Sequence, residues 1–399
     1  MKRRLLPILM TLVLVCALPI WAAFVTSGDV TNPLVSTAWA TLPDLQAKID
    51  AAADNATITL DSNTEIAATL QITKNLTLDL NGCTLRMTGT GSVLKVSDRA
   101  TLTITDSRPQ NPHTGSYAGL PAGGVITGGK ADKGGGILLA GGCTLKLTGG
   151  CITDCHATDT GGGGVVLNGD TAILYMSGTA RIENCTAGET WGANAIFNSG
   201  TMYADGGTVD GTVNNQGTIK HSNGVTAVTV FKKAVYNQQA GTIEAGRYNE
   251  TVENRGTITG GIFYGGVTND GGKINDGAYE TVTFNSDGGT PVEEAKVLRG
   301  QKVAKPTDDP TKSGYTFTGW EDANGAGAYD FNTPVIAPLT LTAKWEKNPS
   351  SGGYYYYPTP DTKADDVKGS PKTADPGVAL YAALSLLSLT GLTCTAKKR

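Results

Sequence analysis

The residues best placed to take part in a reaction lie at the C-terminal end of the sequence. A short polar segment, residues 370–374, precedes an apolar run from about residue 378 to 392, and the chain stops at three basic residues. This order is typical of a tail that is held in a membrane while an external enzyme acts on the polar motif. The segment consists of Ser370, Pro371, Lys372, Thr373 and Ala374.

The polar segment resembles the cell-wall sorting signal of Gram-positive surface proteins, an LPxTG-type motif that a sortase cuts after threonine. The resemblance implies cleavage between Thr373 and Ala374, with Thr373 joined covalently to peptidoglycan. Ser370 stands where the family has leucine, and Ala374 stands where it has glycine. The alternative is a plain C-terminal membrane anchor, for which the run is barely long enough, since about 20 apolar residues are needed.

The N-terminus has the pattern of a secretory signal. Residues 2–4 are basic, and residues 5–24 are almost all apolar. Cleavage after Ala23 and cleavage after Ala40 both remain open, and we favour Ala40 because small residues stand at positions 38 and 40. The alternative is a retained N-terminal anchor. Together, the two ends predict an extracellular, wall-anchored protein that contacts the membrane through its C-terminal span before processing.

Acidic residues in the middle of the chain are spread singly, which argues against an active site. Glycoside hydrolases need paired carboxylates for acid and base work. The pattern offers only two pairs that could approach one another, Asp154 with Glu183 and Asp205 with Asp210. Solvated turn positions are the simpler interpretation of all four. We therefore assign no catalytic residue.

The cysteines outside the terminal segments are odd in number, which argues against a complete disulfide framework in an exported chain. A zinc site through Cys151, Cys155 and His156 is conceivable, but no histidine stands at a typical metal spacing. Cysteines that face inward as small apolar residues are the favoured interpretation. We expect Cys155 and Cys185 to stack as thiols, and we predict no metal or other cofactor. The residues concerned are Cys83, Cys143, Cys151, Cys155 and Cys185.

The composition favours strands and turns over helices. The chain has 53 glycines, and only 17% of its residues are charged. Short segments rich in threonine, valine, isoleucine and leucine alternate with glycine, asparagine and aspartate. Removing residues 1–40 and 374–399 takes away six basic and two acidic residues and changes the formal net charge from −4 to −8. No basic patch remains that could follow phosphates, so a nucleic-acid partner is not expected.

The middle of the chain, about residues 57–277, is an imperfect repeat. Ile152 and Val166 recur thirty residues later as Ile182 and Ile196, and residues 213–219 recur as residues 252–258. Each unit holds two or three short strands and is too small to bury a core alone, so the units must stack. The pattern therefore predicts a parallel β-helix. The region resembles the right-handed β-helices of pectin-lyase-like proteins, some of which are polysaccharide lyases or hydrolases.

One asparagine in each of the later units is predicted to form a structural ladder. Asparagine suits a turn because it tolerates left-handed backbone and carries both a donor and an acceptor. We expect each side-chain amide to bond to the next one along the stack. The N-terminal end of the stack is predicted to be covered by a short helix over residues 42–51, with Leu45 and Ile49 on one face. The ladder residues are Asn198, Asn215, Asn237, Asn254 and Asn269.

Residues 279–346 have a different pattern, with an Asp287-Gly288-Gly289 turn and regularly placed aromatic residues. They resemble the internalin-type B-repeat, also called the Listeria–Bacteroides repeat, almost from end to end. The resemblance implies a small β-grasp-like module of surface proteins that serves as a spacer or an adhesive unit. We expect the aromatic residues to form its core. They are Phe284, Phe317, Trp320, Phe331 and Trp345.

The resulting organisation is all-β with terminal targeting segments. We divide it into a signal peptide (1–40), a parallel β-helix (41–278), a repeat module (279–346), a Pro/Tyr/Gly-rich linker (347–369) and a sorting segment (370–399). The favoured function is an adhesin or display scaffold that binds glycan or protein on the host or matrix. A wall-attached polysaccharide lyase or hydrolase and a passive stalk are the alternatives.

Overall fold

The regular secondary structure of the described residues is almost entirely β-strand, as the alternating sequence pattern predicts. The protein is described from a computed structural model, which covers residues 44–159, 161–188, 193–325 and 327–349. The predicted signal peptide, most of the linker, the sorting motif and the apolar span lie outside these residues. Within the described ranges, no helix has the length and apolar character that crossing a membrane requires.

Residues 56–274 wind into a right-handed parallel β-helix, which confirms the fold predicted from the repeats. The strands up to residue 168 are β1 Ala56–Thr59, β2 Thr64–Ile66, β3 Leu70–Ile72, β4 Leu76–Asp79, β5 Thr84–Met87, β6 Leu94–Val96, β7 Thr101–Thr105, β8 Val125–Thr127, β9 Lys130–Ala131, β10 Ile137–Ala140, β11 Thr144–Leu147, β12 Cys151–Thr153, β13 His156–Ala157 and β14 Val165–Asn168. The later strands are β15 Ile173–Glu183, β16 Thr186–Ala187, β17 Ile196–Asn198, β18 Thr201–Asp210, β19 Val213–Asn215, β20 Thr218–Lys220, β21 Val230–Phe231, β22 Val235–Asn237, β23 Thr242–Ile243, β24 Arg247–Tyr248, β25 Val252–Asn254, β26 Thr257–Ile258, β27 Ile262–Phe263, β28 Val267–Asn269 and β29 Lys273–Ile274.

Three faces of parallel strands run along the β-helix. The first face stacks β1, β4, β7, β11, β15, β18, β20, β23, β26 and β29. The second face stacks β2, β5, β8, β12, β15, β18, β21, β24 and β27, and the long strands β15 and β18 belong to both faces. The third face has nine strands, namely β3, β6, β10, β14, β17, β19, β22, β25 and β28. Strands β9, β13 and β16 form a small additional sheet.

Each face buries every second side chain inside the β-helix. On the first face, Leu78, Ile104 and Leu147 stand in register on successive turns and are 0% exposed. Their neighbours Thr77 and Thr103 point outward and are half-buried. Because successive strands are about 4.8 Å apart, identical or similar side chains stack directly on one another. The core is therefore a set of continuous rows, and each turn depends on the turns above and below it.

A row of aromatic rings fills the core of the last turns on the second face. Tyr248 lies between Phe231 and Phe263, with ring centroids 4.9 and 5.1 Å apart and planes within 7° of parallel. All three rings are buried. The hydroxyl of Tyr248 donates a 2.7 Å hydrogen bond to the carbonyl of Ala245, so its one polar atom is paired.

The N-terminal end of the stack is covered by helix α1, Leu45–Ala51, as predicted. Leu45 and Ile49 are buried on its inner face. The side-chain amide of Gln46 bonds to both backbone groups of Gln71 in β3, accepting from the nitrogen at 2.7 Å and donating to the carbonyl at 3.1 Å. Gln46 thus takes the place of a preceding strand at this edge, which limits pairing with other chains.

The thirty-residue repeat slips by one position on the third face. Ile152 stands opposite Ile182 in register, as the sequence repeat predicts. On the third face, however, Ile196 stands opposite Val165 and not opposite Val166. An additional residue in the connection before β17 shifts the strand along its partner. Val166 stands opposite Phe197 instead; it is 1% exposed but is not a member of the core cluster that contains Val165 and Ile196.

The repeat module is a mixed four-stranded sheet with the order β31-β30-β33-β32. Its strands are β30 Tyr279–Asn285, β31 Ala295–Leu298, β32 Tyr315–Glu321 and β33 Leu339–Lys347. Strands β30 and β33 are parallel, and the other two pairings are antiparallel. The expected aromatic core is present, since Trp320 is buried and Phe284 and Phe317 pack edge-to-face against it at 5.0 and 5.4 Å.

The cysteines of the described residues are free thiols, and all but Cys83 are buried. Cys185 lies directly above Cys155, because the Thr186 nitrogen donates to the Cys155 carbonyl at 2.9 Å. A hydrogen bond to Cys185 and burial raise the pKa of Cys155 well above its ordinary value. Burial, aided by the nearby Glu183 carboxylate, also raises the pKa of Cys151. Within the described ranges, no three or more His, Cys, Asp or Glu side chains are grouped so that they could hold a metal ion.

We expect the β-helix to lose stability as the pH rises above 9.0, the ordinary pKa of a cysteine thiol. Above that value the unfolded chain releases the thiol protons of Cys151 and Cys155, whereas the folded chain still holds them. The unfolded state is then favoured by about 1.4 kcal/mol per thiol and pH unit. Urea unfolding as a function of pH measures this effect. A C151A/C155A variant should show a flatter alkaline limb, and an unchanged limb would contradict the assignment.

Candidate functional site

Two tyrosines lie side by side on the outer surface of the first face. Tyr175 in β15 and Tyr203 in β18 are register partners on neighbouring turns. Both point outward because the adjacent residues Leu174, Met176 and Met202 occupy the core. The alternation of apolar and polar residues therefore fixes the direction of both rings, and the stacking of turns brings them together.

The tyrosine rings form a stack in which each ring covers one face of the other. Their centroids are 4.3 Å apart and their planes differ by 4°. The ammonium group of Lys220, on the next turn, lies 5.1 Å from the ring centroid of Tyr203. Burial, followed by the proximity of Tyr203, raises the pKa of Tyr175, which keeps its hydroxyl protonated. The stack thus presents ring edges and hydroxyl groups to a ligand.

A buried carboxylate holds the loop beside the tyrosines. Asp205 accepts hydrogen bonds from the backbone nitrogen of Ser222 at 2.9 Å and from its hydroxyl at 2.5 Å. The Nδ1 atom of His221 lies 3.4 Å from the same carboxylate, whose side chain is only 8% exposed. Asp205 therefore fixes the start of the loop after β20 and leaves little of its own charge for a ligand.

These groups line a groove of about 440 Å³. We call it the tyrosine groove, and its lining residues are Tyr175, Tyr203, Lys220, His221, Ser222, Asn223 and Glu244. Glu244 and Asn223 are exposed at its rim. Within the described residues, Lys220 and Glu244 make no ion pair with each other or with another residue. The groove therefore holds one positive and one negative side chain that form no ion pair, beside two phenolic hydroxyls.

The carboxylates considered as catalytic pairs have other roles in the structure. Asp210 accepts from the ammonium group of Lys232 at 3.2 Å on the surface of the second face. Glu183 stands opposite Asp210 in register, whereas Asp154 occupies a left-handed turn position with φ of 51°. Asp205 accepts hydrogen bonds from Ser222 in the loop after β20.

The predicted asparagine ladder is formed inside the β-helix at the end of the third face. Each amide nitrogen donates to the amide oxygen of the next asparagine, and each of the four contacts measures 2.7 Å. The first four members are buried, and Asn269 at the end is exposed. The second amide proton of Asn215 reaches the carbonyl of Thr242 at 3.2 Å. These residues are satisfied by one another, so their role is structural.

Sequence reasoning did not identify the tyrosine groove. The available signal was the recurrence of an outward tyrosine between two inward apolar residues in Leu174-Tyr175-Met176 and Met202-Tyr203-Ala204. The sequence around Lys220 and His221 contains no recurring motif, and only the stacking of three turns brings these residues close to the tyrosines. The predicted sorting motif, residues 370–374, lies outside the described residues.

Comparisons with known proteins agree with the identification of the C-terminal module. Residues 281–344 match the Listeria-Bacteroides repeat domain. This confirms the repeat module predicted from its aromatic and glycine pattern. The match covers a minor part of the chain and leaves the β-helix without a family. No solved structure matches the chain.

Two relatives from Evansella cellulosilytica share a segment of 70 residues with this chain. One is described as a Gly-rich membrane protein and is 40% identical, over 17% of this chain and 8% of its own length. The other is described as a membrane protein and is 39% identical, over 17% of this chain and 10% of its own length. The chain thus spans a tenth or less of either relative, and the similarity is confined to a module-sized segment.

Proposed function

We propose that this chain is an exported bacterial surface protein that is anchored to the cell wall and binds glycans through the tyrosine groove. The repeat domain at residues 281–344 and the membrane-protein relatives support a location in the cell envelope. The signal-like N-terminus and the sorting-like residues 370–374 support export and attachment to the wall. In this proposal the β-helix displays the ligand site, and the linker holds it away from the wall.

The observation that carries the glycan proposal is the chemistry of the tyrosine groove. A sugar presents C–H groups and many hydroxyls, so its site needs apolar ring surface next to paired donors and acceptors. The groove provides ring edges and hydroxyls from Tyr175 and Tyr203. Around them stand an ammonium, an imidazole, a carboxamide and a carboxylate, from Lys220, His221, Asn223 and Glu244.

The groove is also organised before a ligand arrives. The two rings hold each other in place, and Asp205 fixes His221 and Ser222 through three contacts. Side chains that are already ordered lose little entropy when they bind, which favours affinity. Because the two rings cover each other and Lys220 lies over Tyr203, recognition at Tyr203 relies on hydrogen bonds and charge, with the ring edges excluding water.

Binding of the mature chain, residues 41–373, to a glycan array tests the proposal. We expect the array to contain bound glycans, and we expect Tyr203→Ala to weaken the strongest of them by about tenfold or more, as for a central contact residue. Tyr236→Ala is the matched control, because Tyr236 is an outward, half-buried tyrosine on the third face. It should leave glycan binding unchanged.

The alternatives give different results in the same experiment. Release of reducing sugar or unsaturated uronate from a bound polysaccharide would favour an enzyme over an adhesin. An array without bound glycan would contradict the proposal and favour a passive stalk or a protein ligand. Equal losses in Tyr203→Ala and Tyr236→Ala would place the glycan site elsewhere on the β-helix.

A further inference from the structure

At the last turn of the β-helix, the free edge of strand β27 forms hydrogen bonds with the repeat module. Strand β27 pairs with β24 on one side, which leaves the backbone groups of Phe263 directed toward the C-terminal end. The Phe263 nitrogen donates to the carbonyl of Arg299 at 2.8 Å. The side-chain amide of Gln301 donates to the carbonyl of Phe263 and, at 3.3 Å, to that of Tyr264.

The module also extends the apolar core of the β-helix. Tyr279 in β30 and Leu298 in β31 are cross-strand partners, and both pack against the β-helix core. Ala278, just before β30, is fully buried in the same cluster. The first hairpin of the module thus covers apolar surface that the last turn would otherwise expose to water.

Gly300 permits the close approach between the two parts. It has a φ of +95°, and a Cβ at this position would lie 2.7 Å from the Phe263 nitrogen. Its own nitrogen donates to the carbonyl of Val335 at 2.7 Å, which ties the contact loop to the rest of the module. A side chain at position 300 would strain the backbone and separate Arg299 and Gln301 from the strand edge.

An ion pair fixes the orientation of the contact loop. The guanidinium of Arg299 donates to the carboxylate of Glu280 at 2.5 Å, and the Glu280 side chain is only 7% exposed. The Arg299 nitrogen also donates to the carbonyl of Ala278 at 2.9 Å. Arg299 is therefore held at both its side chain and its backbone, with its carbonyl directed at Phe263.

We propose that the repeat module functions as the C-terminal cap of the β-helix and is required for the β-helix to stay monomeric. Arg299 and Gln301 do for β27 what Gln46 does for β3 at the opposite end, since both pair a backbone edge that has no further strand. An uncovered edge of this kind is a template for pairing with another chain. The partner that the uncapped end fits is the same edge of a second copy.

The role of a cap differs from that of a spacer. A spacer folds by itself and leaves the neighbouring domain unchanged when it is lost. A cap packs part of its apolar surface on the core of the β-helix, as Tyr279 and Leu298 do here, so that the last turns depend on its contact loop. Contacts between residues agree with this view, because the described residues of the β-helix and of the module up to Lys347 belong to one compact unit.

Two glycine substitutions in the mature chain, residues 41–373, separate the alternatives. Gly300→Val introduces a side chain at a positive φ against Phe263. Gly314→Val is the matched control, because Gly314 has a φ of +77° in the same module but open space around its Cβ position. We expect Gly300→Val to accelerate amide hydrogen exchange at Ile262 and Phe263 by about 100-fold. The reason is that the valine side chain separates Arg299 and Gln301 from Phe263, so that this strand edge opens more often. It should also produce dimers or larger species in sedimentation.

A milder variant keeps the test valid if Gly300→Val does not fold. Gln301→Ala removes only the amide that covers the Phe263 and Tyr264 carbonyls, and we expect about tenfold faster exchange at Phe263. Gln238→Ala, which alters an amide away from the interface, should leave this rate unchanged. The cap role is wrong if Gly300→Val and Gly314→Val both stay monomeric with equal protection at Phe263. It is also wrong if Gln301→Ala and Gln238→Ala give the same exchange rate there.

Discussion

Tyr248→Ala is expected to lower the free energy of unfolding by about 3–5 kcal/mol, the cost typical of removing a large aromatic side chain from a packed core. Tyr248 is enclosed between Phe231 and Phe263 and is 1% exposed. Its loss would leave a cavity between two rings that are held apart by the spacing of the turns, so the row cannot collapse. Urea unfolding followed by circular dichroism measures the change.

Two variants separate the cavity from other consequences of this substitution. Tyr248→Phe keeps the ring and removes only the hydrogen bond to Ala245, so a loss of about 1 kcal/mol is expected. Tyr236→Ala removes an outward tyrosine from the third face and should cost less than Tyr248→Ala. A similar loss in Tyr248→Ala and Tyr236→Ala would mean that the aromatic row does not support the last turns.

Asn237→Ala is expected to cost about 2–4 kcal/mol, because it interrupts a buried amide row in its middle. The substitution removes the acceptor of Asn215 and the donor to Asn254, both at 2.7 Å. The amide oxygen of Asn254 would then be left buried without its ladder partner. Thermal and urea unfolding of the mature chain measure the loss.

The end of the same ladder provides the control. Asn269 is exposed and bonds to the row on one side only, so Asn269→Ala should cost less than about 1 kcal/mol. Asn237→Asp is a further comparison, because it keeps the size of the side chain but places a carboxylate beside a buried acceptor. If Asn269→Ala and Asn237→Ala destabilise the protein equally, the ladder does not act as a buried row.

Much of the fold follows from the sequence because the repeats are local. Side chains alternate between the two sides of a strand. In any stacked arrangement, Leu78 and Ile104 therefore face inward, and Thr77 and Thr103 face outward. The steps between asparagines in similar short motifs were enough to place Asn198 to Asn269 in one row. The aromatic core of the module was likewise predictable, because Trp320 and its neighbours belong to a recurring motif.

The tyrosine groove was not predictable in the same way. Tyr175, Tyr203 and Lys220 come from three turns of different length, and their alignment depends on how many residues each connection contains. The slip that pairs Ile196 with Val165 shows how one residue in a connection changes the register. The loop after β20 adds His221 to the groove only because Asp205 holds it there.

The boundary between the β-helix and the repeat module was also predictable only in part. The sequence pattern changes at residues 278–279, and in the structure the last strand of the β-helix ends at Ile274 and the first strand of the module begins at Tyr279. The change in pattern carries no information on Gly300 and Gln301, whose contacts with Phe263 arise only when the module folds back onto the last turn.

The amino-acid sequence alone determined that this chain forms short alternating strands with turn residues between them, that it contains a repeat module, and which residues face inward. These properties depend on near neighbours in the chain, and local alternation and turn chemistry specify them. The tertiary structure decided which outward side chains meet across turns and how the stack is closed at its two ends. Those contacts join residues that are distant in sequence, so they depend on register and on connection length.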